Sequence, residues 1–369
     1  GFHHEIHVNR PRWDLMWELD ADAVRTVVDA IWQWHVVDKE LGDHNRHGDG
    51  KPGCDFAMSA GEFMYALGMA AVLTGDRGYL DKARLLADHH WRSRDPATGL
   101  IPNQPNARGR RFDGDQFDTS ITGIFCYFLL KTYERTGETI FKDQALSYLR
   151  AYARYGFDAG HRKFHAALKL DGTPVAADDP AVLRAHTRGG DAAQQPCGHL
   201  DLWEPYQLGY QFPVYTAQVY AYACQLSRDP VMLEAAREWA EWIATVPPAA
   251  GCNERSWYRE YVVRFSHHGT FAGLYGRSIS FFIHMYALTA EREYLETART
   301  FAREAIAKLY YHGLLRGHPA KPYYASVDGV GFLLYALLQL DRITTGSAPE
   351  PNGIPLRGPQ PGIMAFDNW

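Results

Sequence analysis

The chain has 369 residues, a formal net charge of −5 and 46% hydrophobic residues. This length is sufficient for a large buried core, and the mild negative charge excludes the strongly basic surface that is typical of nucleic-acid-binding proteins. No apolar run reaches the length that a membrane span requires, so neither a nucleic acid nor a membrane is expected as a partner. Without a linker-like or low-complexity stretch, the sequence predicts one domain over residues 1–369 with irregular N- and C-terminal extensions.

The first residue and the cysteines bear on the cellular compartment. A chain that begins with Gly1 rather than Met is expected of a processed protein that is secreted or periplasmic, or of a trimmed chain, and no signal peptide is visible to decide between them. The five cysteines form no CxxC pair, which argues against a zinc cage. Cys126 and Cys224 lie in apolar helical stretches and are predicted to be core residues, and the sequence leaves open a disulfide between two of Cys54, Cys197 and Cys252.

Four segments align without gaps, namely "TGDRGYLDKA" from Thr74, "TGETIFKDQA" from Thr136, "SRDPVMLEAA" from Ser227 and "TAEREYLETA" from Thr289. Each has a large side chain five residues on and an alanine nine residues on: Tyr79, Phe141, Met232 and Tyr294, then Ala83, Ala145, Ala236 and Ala298. The pattern predicts a helix end, a tight turn and a second helix, with Gly75 and Gly137 in left-handed C-terminal positions.

The segments on either side of these turns predict helices of two kinds. Before the turns, "SAGEFMYALGMAAVL", "TSITGIFCYFLLKTYE", "YTAQVYAYACQL" and "SISFFIHMYAL" are apolar nearly all round, as buried helices are. After the turns, "YLDKARLLADHHW", "FKDQALSYLRAYARY", "MLEAAREWAEWI" and "YLETARTFAREAIAKLYY" are amphipathic at helical spacing. Ser59 and Glu62 predict a capping box at the first buried helix, and residues 21–41 and 329–343 predict further helices.

Hairpins that each contain one buried and one half-exposed helix close naturally into an all-α fold, an α/α toroid of six or seven helical hairpins. An open solenoid is the competing arrangement. The strongly apolar character of the buried-type helices favours the toroid, since an inner ring needs such helices. The loops that follow the outer helices are long, and in a toroid they gather at one rim, where binding and catalytic groups collect.

These rim loops are rich in cationic, amide and aromatic side chains. Arginine can grip a carboxylate through two hydrogen bonds, and tryptophan and tyrosine suit the apolar faces of sugar rings, although core packing is the alternative role for the aromatic residues. The loops predict a cleft for an acidic polysaccharide. Its expected substrate-binding residues are Asn106, Arg110, Trp203, Tyr206, Trp257, Arg264, His268, His318 and Tyr324.

One reaction class fits these side chains. β-Elimination removes the C5 proton of a uronic acid and expels the C4 oxygen once the neighbouring carboxylate is neutralised. In "RSWYREY", Tyr258 and Tyr261 lie three residues apart among arginines, which would lower the pKa of a tyrosine base. A surface loop held by Arg–Glu pairs through Glu254 and Glu260 is the alternative interpretation of this segment.

Other groups of side chains in the sequence are compatible with other functions. Asp113, Asp115 and Asp118 could supply the paired carboxylates of a glycoside hydrolase, although Asp118 also suits the N-cap of the next helix. "DHNRHGDG" faintly resembles a calcium loop through Asp43, Asn45 and Asp49, but it lacks the closing glutamate. A non-catalytic glycan-binding toroid is the third alternative.

The hairpins and Arg-rich rim loops resemble the α/α-toroid polysaccharide lyases from about Asp20 to Thr345, and particularly the group that acts on alginate and glucuronan. The resemblance implies that Tyr261 is the base and acid, that Arg255 neutralises the carboxylate, and that Glu204 and His199 in "HLDLWEPY" support them. The "NNH" signature of toroid alginate lyases is absent, and "NQPN" from Asn103 is the nearest stretch. Similar scaffolds also carry unsaturated-uronyl hydrolases and sugar epimerases.

The sequence therefore predicts a lyase that cleaves a uronate-containing glycan without a cofactor, and it leaves open a structural or assisting divalent metal. The catalytic residues expected are Tyr261, Tyr258 in reserve, Arg255, His199 and Glu204.

Overall fold

A computed structural model describes residues 12–107, 116–180, 182, 196–200, 202, 213–246, 270–321, 324 and 329–345. The chain forms two compact units, one of Gly1–His199 with Gly209–Gln211 and one of Leu200–Leu208 with Phe212–Trp369. A single domain over residues 1–369 stays a prediction.

The described part of the first unit contains six α-helices and six short strands. The helices are α1 Trp13–Leu19, α2 Ala21–Ala30, α3 Ala57–Thr74, α4 Arg77–Ser93, α5 Thr119–Thr136 and α6 Thr139–Tyr155. The strands are β1 Val36–Asp38, β2 Asp43–His44, β3 Gln116–Asp118, β4 Phe157–Asp158, β5 Lys163–Phe164 and β6 Ala167–Lys169. They form three antiparallel pairs, β1 with β2, β3 with β6 and β4 with β5.

The described part of the second unit contains five α-helices and one β-hairpin. The helices are α7 Pro213–Ser227, α8 Pro230–Thr245, α9 Ala272–Thr289, α10 Arg292–Leu309 and α11 Val330–Thr345. The hairpin pairs β7 Tyr310–Tyr311 with β8 Leu314–Leu315.

The four aligned segments are the tight turns that the sequence predicts. Thr74, Thr136, Ser227 and Thr289 are the last residues of α3, α5, α7 and α9. Each hydroxyl donates to the carbonyl four residues back and accepts the N–H two residues on. The residue between has a positive φ, and it is Gly75, Gly137, Arg228 or Ala290. The repeated hydroxyl thus closes one helix and positions the acidic residue that opens the next.

An arginine of one hairpin joins the acidic turn residue of the following hairpin in each unit. Arg84 of α4 donates to Glu138 at 2.5 Å, and Arg237 of α8 donates to Glu291 at 2.7 Å. Both arginines lie ten residues after the Thr or Ser of their own turn. The repeat therefore includes a contact between consecutive hairpins as well as the turn itself.

Burial alternates along the chain as predicted. α3, α7 and α9 bury nearly all of their surface in their first three turns, whereas α4, α6, α8 and α10 bury one face. The four repeated alanines are fully buried, which lets the outer helices approach closely. By length and composition α3 could cross a membrane, contrary to the expectation for this chain, but 72% of it is buried inside the fold.

Three local predictions are wrong. α3 begins at Ala57 rather than at a Ser59 cap. The helix predicted over residues 21–41 ends at Ala30, and one π-helical turn, Ile31–His35, leads into β1. The last outer helix ends at Leu309, because the next two residues form β7.

The cysteines of the described residues do not form a disulfide. Cys54 and Cys197 are not bonded to each other, so the disulfide left open by the sequence is not formed between them. Cys126 and Cys224 are buried, as predicted for core residues.

The backbones of α9 and α11 approach each other closely at Gly276 of α9. A Cβ there would lie 2.5 Å from the carbonyl carbon of Phe332 and 2.6 Å from the nitrogen of Leu333 in α11. We expect Gly276→Ala to lower the free energy of unfolding by about 1–3 kcal/mol, because backbone atoms cannot move aside as a side chain would. Chemical denaturation of both forms measures this.

Gly331→Ala is the matched control, since a Cβ at Gly331 in α11 meets nothing within 4 Å. We expect it to be neutral or to stabilise the protein by up to about 1 kcal/mol. Equal stability of the two variants would contradict the proposed backbone contact.

Candidate functional site

Neighbouring long loops contact one another within each unit. In the first unit, the N–H of Ala57 donates to the carbonyl of Asn103 at 3.1 Å, which joins the loop before α3 to the loop after α4. In the second unit, the N–H of Ala272 donates to the carbonyl of Gly317 at 2.8 Å. The ring centres of Phe271 and His318 lie 4.6 Å apart. This is the arrangement expected of loops that gather at a rim.

A cluster of polar side chains, five of them ionisable, lies where two of these loops meet the end of α4. We call it the Asp55 cluster, and its members are Asp43, His44, Asp55, His89, His90 and Asn106. Asp55 is fully buried, and its Oδ2 lies 2.8 Å from His89 Nε2 and accepts the N–H of Asn106 at 2.9 Å. The side-chain amide of Asn106 donates to Asp43 Oδ1 at 3.1 Å. Asn106, a predicted substrate-binding residue, thus holds two carboxylates together.

Burial sets the electrostatics of this cluster. It raises the pKa of Asp43, and the nearby charge of Asp55 raises it further. It lowers the pKa of His44 to about 4 and that of His90 well below its usual range. Asp43 therefore holds a proton more readily than an ordinary aspartate does, while the two buried imidazoles stay neutral at pH 7.

Several buried polar atoms around this cluster have no hydrogen-bond partner. They are Asp55 Oδ1, Asn106 Oδ1, both amide atoms of Gln104 and both ring nitrogens of His90. Gln104 is fully buried in the same loop as Asn106. Unsatisfied buried groups are rare in folded proteins, and their concentration at one place indicates a site for ligand, ion or water.

The residues of the faint calcium motif bind one another. The side-chain amide of Asn45 donates to Asp49 Oδ1 and to the carbonyl of Lys51, both at 2.7 Å. The carboxylate of Asp43 instead accepts a hydrogen bond from the side-chain amide of Asn106. The three side chains therefore do not form an oxygen cage, and the motif is a structural loop.

A second cluster in the first unit contains the predicted catalytic residue His199. Its Nε2 lies 2.9 Å from Asp158 Oδ2, and His161 Nδ1 lies 2.8 Å from the same oxygen. His165 stacks on His199 with ring centres 5.2 Å apart. The bonds from His199 and His161 hold the pKa of Asp158 well below its usual range, so it stays ionised and orients both rings. Among the described residues, no contact joins His199 to Asn106.

Two predicted binding residues are described in the second unit. His318 is fully buried, and its Nδ1 accepts the N–H of Ala320 at 3.0 Å. Tyr324 is 44% exposed and donates to the carbonyl of Tyr311 at 2.5 Å. His318 thus packs beneath the surface, and Tyr324 lies on it.

The other predicted site residues lie outside the described residues. They are Tyr261, Tyr258, Arg255, Glu204, Arg110, Trp203, Tyr206, Trp257, Arg264 and His268, together with the alternative carboxylates Asp113 and Asp115. Asp118 directly precedes α5, the position predicted for a helix cap. The roles of all these residues stay predictions.

Sequence reasoning missed Arg277 in the first half of α9. It is 5% exposed, and its guanidinium lies 4.9 Å from the ring centre of Tyr215 and 4.7 Å from that of Phe332. A buried guanidinium close to a rim loop is a candidate for binding a carboxylate. The sequence does set this residue apart, because Arg277 is the one charged residue in the apolar stretch "AGLYGRSISFFIHMYAL".

Comparison with known proteins gives one short family match and several matches of the whole fold. A family model described as periplasmic pectate lyase matches residues 1–55, which include Asp43, His44 and Asp55. The structure of an unsaturated glucuronyl hydrolase from Bacillus sp. GL1, responsible for the degradation of glycosaminoglycan, is 14% identical, with a TM-score of 0.50 over 79% of this chain and 76% of that one.

Two further solved structures are similar. A UGL variant bound to dGlcA-Glc-Rha-Glc is 14% identical, with a TM-score of 0.52 over 93% of this chain and 86% of that one. A sugar epimerase from a ruminal bacterium is 12% identical, with a TM-score of 0.51 over 87% of this chain and 80% of that one. These likenesses establish the fold class, and the prediction of an all-α, α/α-toroid fold is confirmed.

Proposed function

We propose that this chain cleaves a uronate-containing polysaccharide by β-elimination, with Tyr261 as base and acid. The observation that carries the substrate class is the agreement of two independent comparisons. The family model over residues 1–55 is named for pectate, a polyuronate, and a solved structure of similar fold is named for an unsaturated glucuronyl unit. Both names concern uronic acids.

The choice of elimination rests on the residues that the sequence predicts to form a loop before α9. A tyrosine base needs nearby cations, and "RSWYREYVVR" supplies three arginines around Tyr258 and Tyr261. Each tyrosine of the described residues whose pKa is shifted has it raised, by burial first of all: Tyr79, Tyr148, Tyr275 and Tyr294. The proposed base therefore comes from this loop rather than from the helices.

The remaining residues have supporting roles in this proposal. Arg255 neutralises the uronate carboxylate, and Glu204 and His199 assist. The substrate is bound by Asn106, Arg110, Trp203, Tyr206, Trp257, Arg264, His268 and Tyr324, whereas the predicted residue His318 is fully buried and is not counted among them. The periplasmic family named above supports a secreted or periplasmic location.

Hydrolysis is a second candidate that one observation favours. Asp43 and Asp55 lie close together, with their oxygens and a nitrogen of His89 all within 4.8 Å. Burial and the charge of Asp55 raise the pKa of Asp43. A carboxyl group of raised pKa beside a second carboxyl group is the pair that an acid-assisted hydrolase uses.

One assay separates these reactions. The protein is incubated with a panel of uronate polymers, and both the ultraviolet absorbance of a new C4–C5 double bond and the reducing ends are followed. We expect the absorbance to grow with the wild type and to persist with Asp43→Asn. If the wild type produces reducing ends without the absorbance, and Asp43→Asn does not produce them, the reaction is hydrolysis rather than elimination. If the protein binds a polymer but forms neither product, it is a non-catalytic glycan-binding protein.

A further inference from the structure

Three imidazole rings form a compact triangle in the first unit. His44 comes from β2, and His89 and His90 come from the last turns of α4. The ring centres lie 5.8 Å apart for His44 and His89, 5.4 Å for His44 and His90, and 5.2 Å for His89 and His90. One nitrogen of each ring lies within 4.8 Å of the corresponding nitrogens of the other two.

This triangle has the size of a metal site. Three imidazoles that each bind a tetrahedral ion through one nitrogen at about 2.1 Å have ring centres about 5 Å apart. The observed separations approach that value, so small side-chain rotations would bring the three nitrogens onto one ion.

The buried nitrogens of the triangle lack adequate partners. His90 is fully buried with neither ring nitrogen bonded. His44 is fully buried too, and its nitrogens lie 3.4 Å from the carbonyls of Gly42 and Phe56, which is long for a hydrogen bond. Burial without a partner destabilises a polar group, and a bound cation would satisfy one nitrogen of each ring.

The third ring is oriented by a carboxylate. Asp55 Oδ2 accepts from His89 Nε2, and its position is fixed by the N–H of Asn106. Because Nε2 then carries the proton, Nδ1 of His89 presents its lone pair. A carboxylate that holds the far side of a histidine ligand is the usual support of a metal-binding imidazole.

We propose that His44, His89 and His90 bind one transition-metal ion of the kind that prefers imidazole, such as Zn²⁺. Three nitrogen donors suit zinc, copper, nickel or iron, whereas calcium and magnesium prefer oxygen ligands. The ion would tie the loop before α3 to the end of α4 and so fix Asp43, Asp55 and Asn106 at the rim. This inference is independent of the reaction that the protein catalyses.

Metal content of the full chain tests the proposal. Tag-free protein is stripped with a chelator, dialysed against Zn²⁺ in the presence of a weak competing chelator, and analysed by mass spectrometry for metals. We expect one ion per chain, and substitution by Co²⁺ should give the intense visible absorption of tetrahedral nitrogen ligation. His90→Phe, whose new ring can pack on Phe125, 5.0 Å from the present imidazole, should weaken binding at least 100-fold.

His47→Asn is the matched control, because His47 is exposed on the same loop. It should bind Zn²⁺ as the wild type does. A folded wild type that retains no Zn²⁺ against the competitor, or equal binding by the wild type and folded His90→Phe, would overturn the proposal. If His90→Phe does not fold, a rise in the melting temperature of the stripped wild type on adding one equivalent of Zn²⁺ supports the site, and an unchanged melting temperature refutes it.

Discussion

Phenylalanine in place of Tyr261 should lower the rate of unsaturated-product formation by at least about 10²-fold and up to about 10⁴-fold. The substitution removes only the phenolic hydroxyl, the group that would take the C5 proton and return it to the leaving oxygen. Initial rates of ultraviolet absorbance, on whichever uronate polymer the wild type cleaves, measure the effect. Circular dichroism should give the same spectrum for both forms.

Tyr258→Phe is the matched control for this loss, because it removes the same hydroxyl three residues away in the same loop. We expect it to retain most of the activity. Unchanged turnover in Tyr261→Phe would remove that residue from its role. Loss of activity in Tyr258→Phe alone would transfer the role to Tyr258.

The hairpin repeat could be predicted from sequence because its determinants are local. A Thr or Ser at the end of one helix bonds both to its own last turn and to the N–H two residues on. All of these atoms lie within seven residues of chain, so the same four or five side chains specify the same turn wherever they occur.

The start of α3 could not be predicted in this way. A Ser–Glu capping box was expected at Ser59, yet the N–H of Ala57 finds its partner in the carbonyl of Asn103, more than 40 residues away. A distant loop therefore satisfies a donor that a local side chain would otherwise cap, and the N-cap lies at Phe56, three residues before Ser59. Tertiary contacts of this kind leave no local pattern.

The Asp55 cluster was hidden for a similar reason. Asp55 and His89 are 34 residues apart, and Asp55 and Asn106 are 51 apart, with no spacing rule that joins them. "DHHW" fitted the amphipathic pattern of an outer helix, and that pattern is correct. The adjacent histidines were the available signal, because the pattern alone does not require two imidazoles on the last turns of a helix.

A buried histidine in the second unit should make the stability of the protein depend on pH. His284 of α9 is 2% exposed, and its Nε2–H donates to Gln225 Oε1 at 2.8 Å. Burial lowers its pKa from 6.5 to about 3. At a pH between these two pKa values, His284 is protonated in the unfolded chain and neutral in the folded protein. The free energy of unfolding therefore falls as the pH falls below 6.5.

The expected loss from this one group is about 3 kcal/mol at pH 4, where most of the shift has taken effect. His284→Gln should remove that part of the pH dependence, because glutamine does not titrate and its amide can still donate to Gln225. Urea denaturation of both forms at pH 7.5 and pH 4, with a chelator present throughout, gives the comparison. The free energy of unfolding of His284→Gln, relative to that of the wild type, should rise by about 3 kcal/mol when the pH falls from 7.5 to 4. An unchanged difference would mean that His284 is protonated in the folded state, and therefore that its surroundings in α7 and α9 admit a charge.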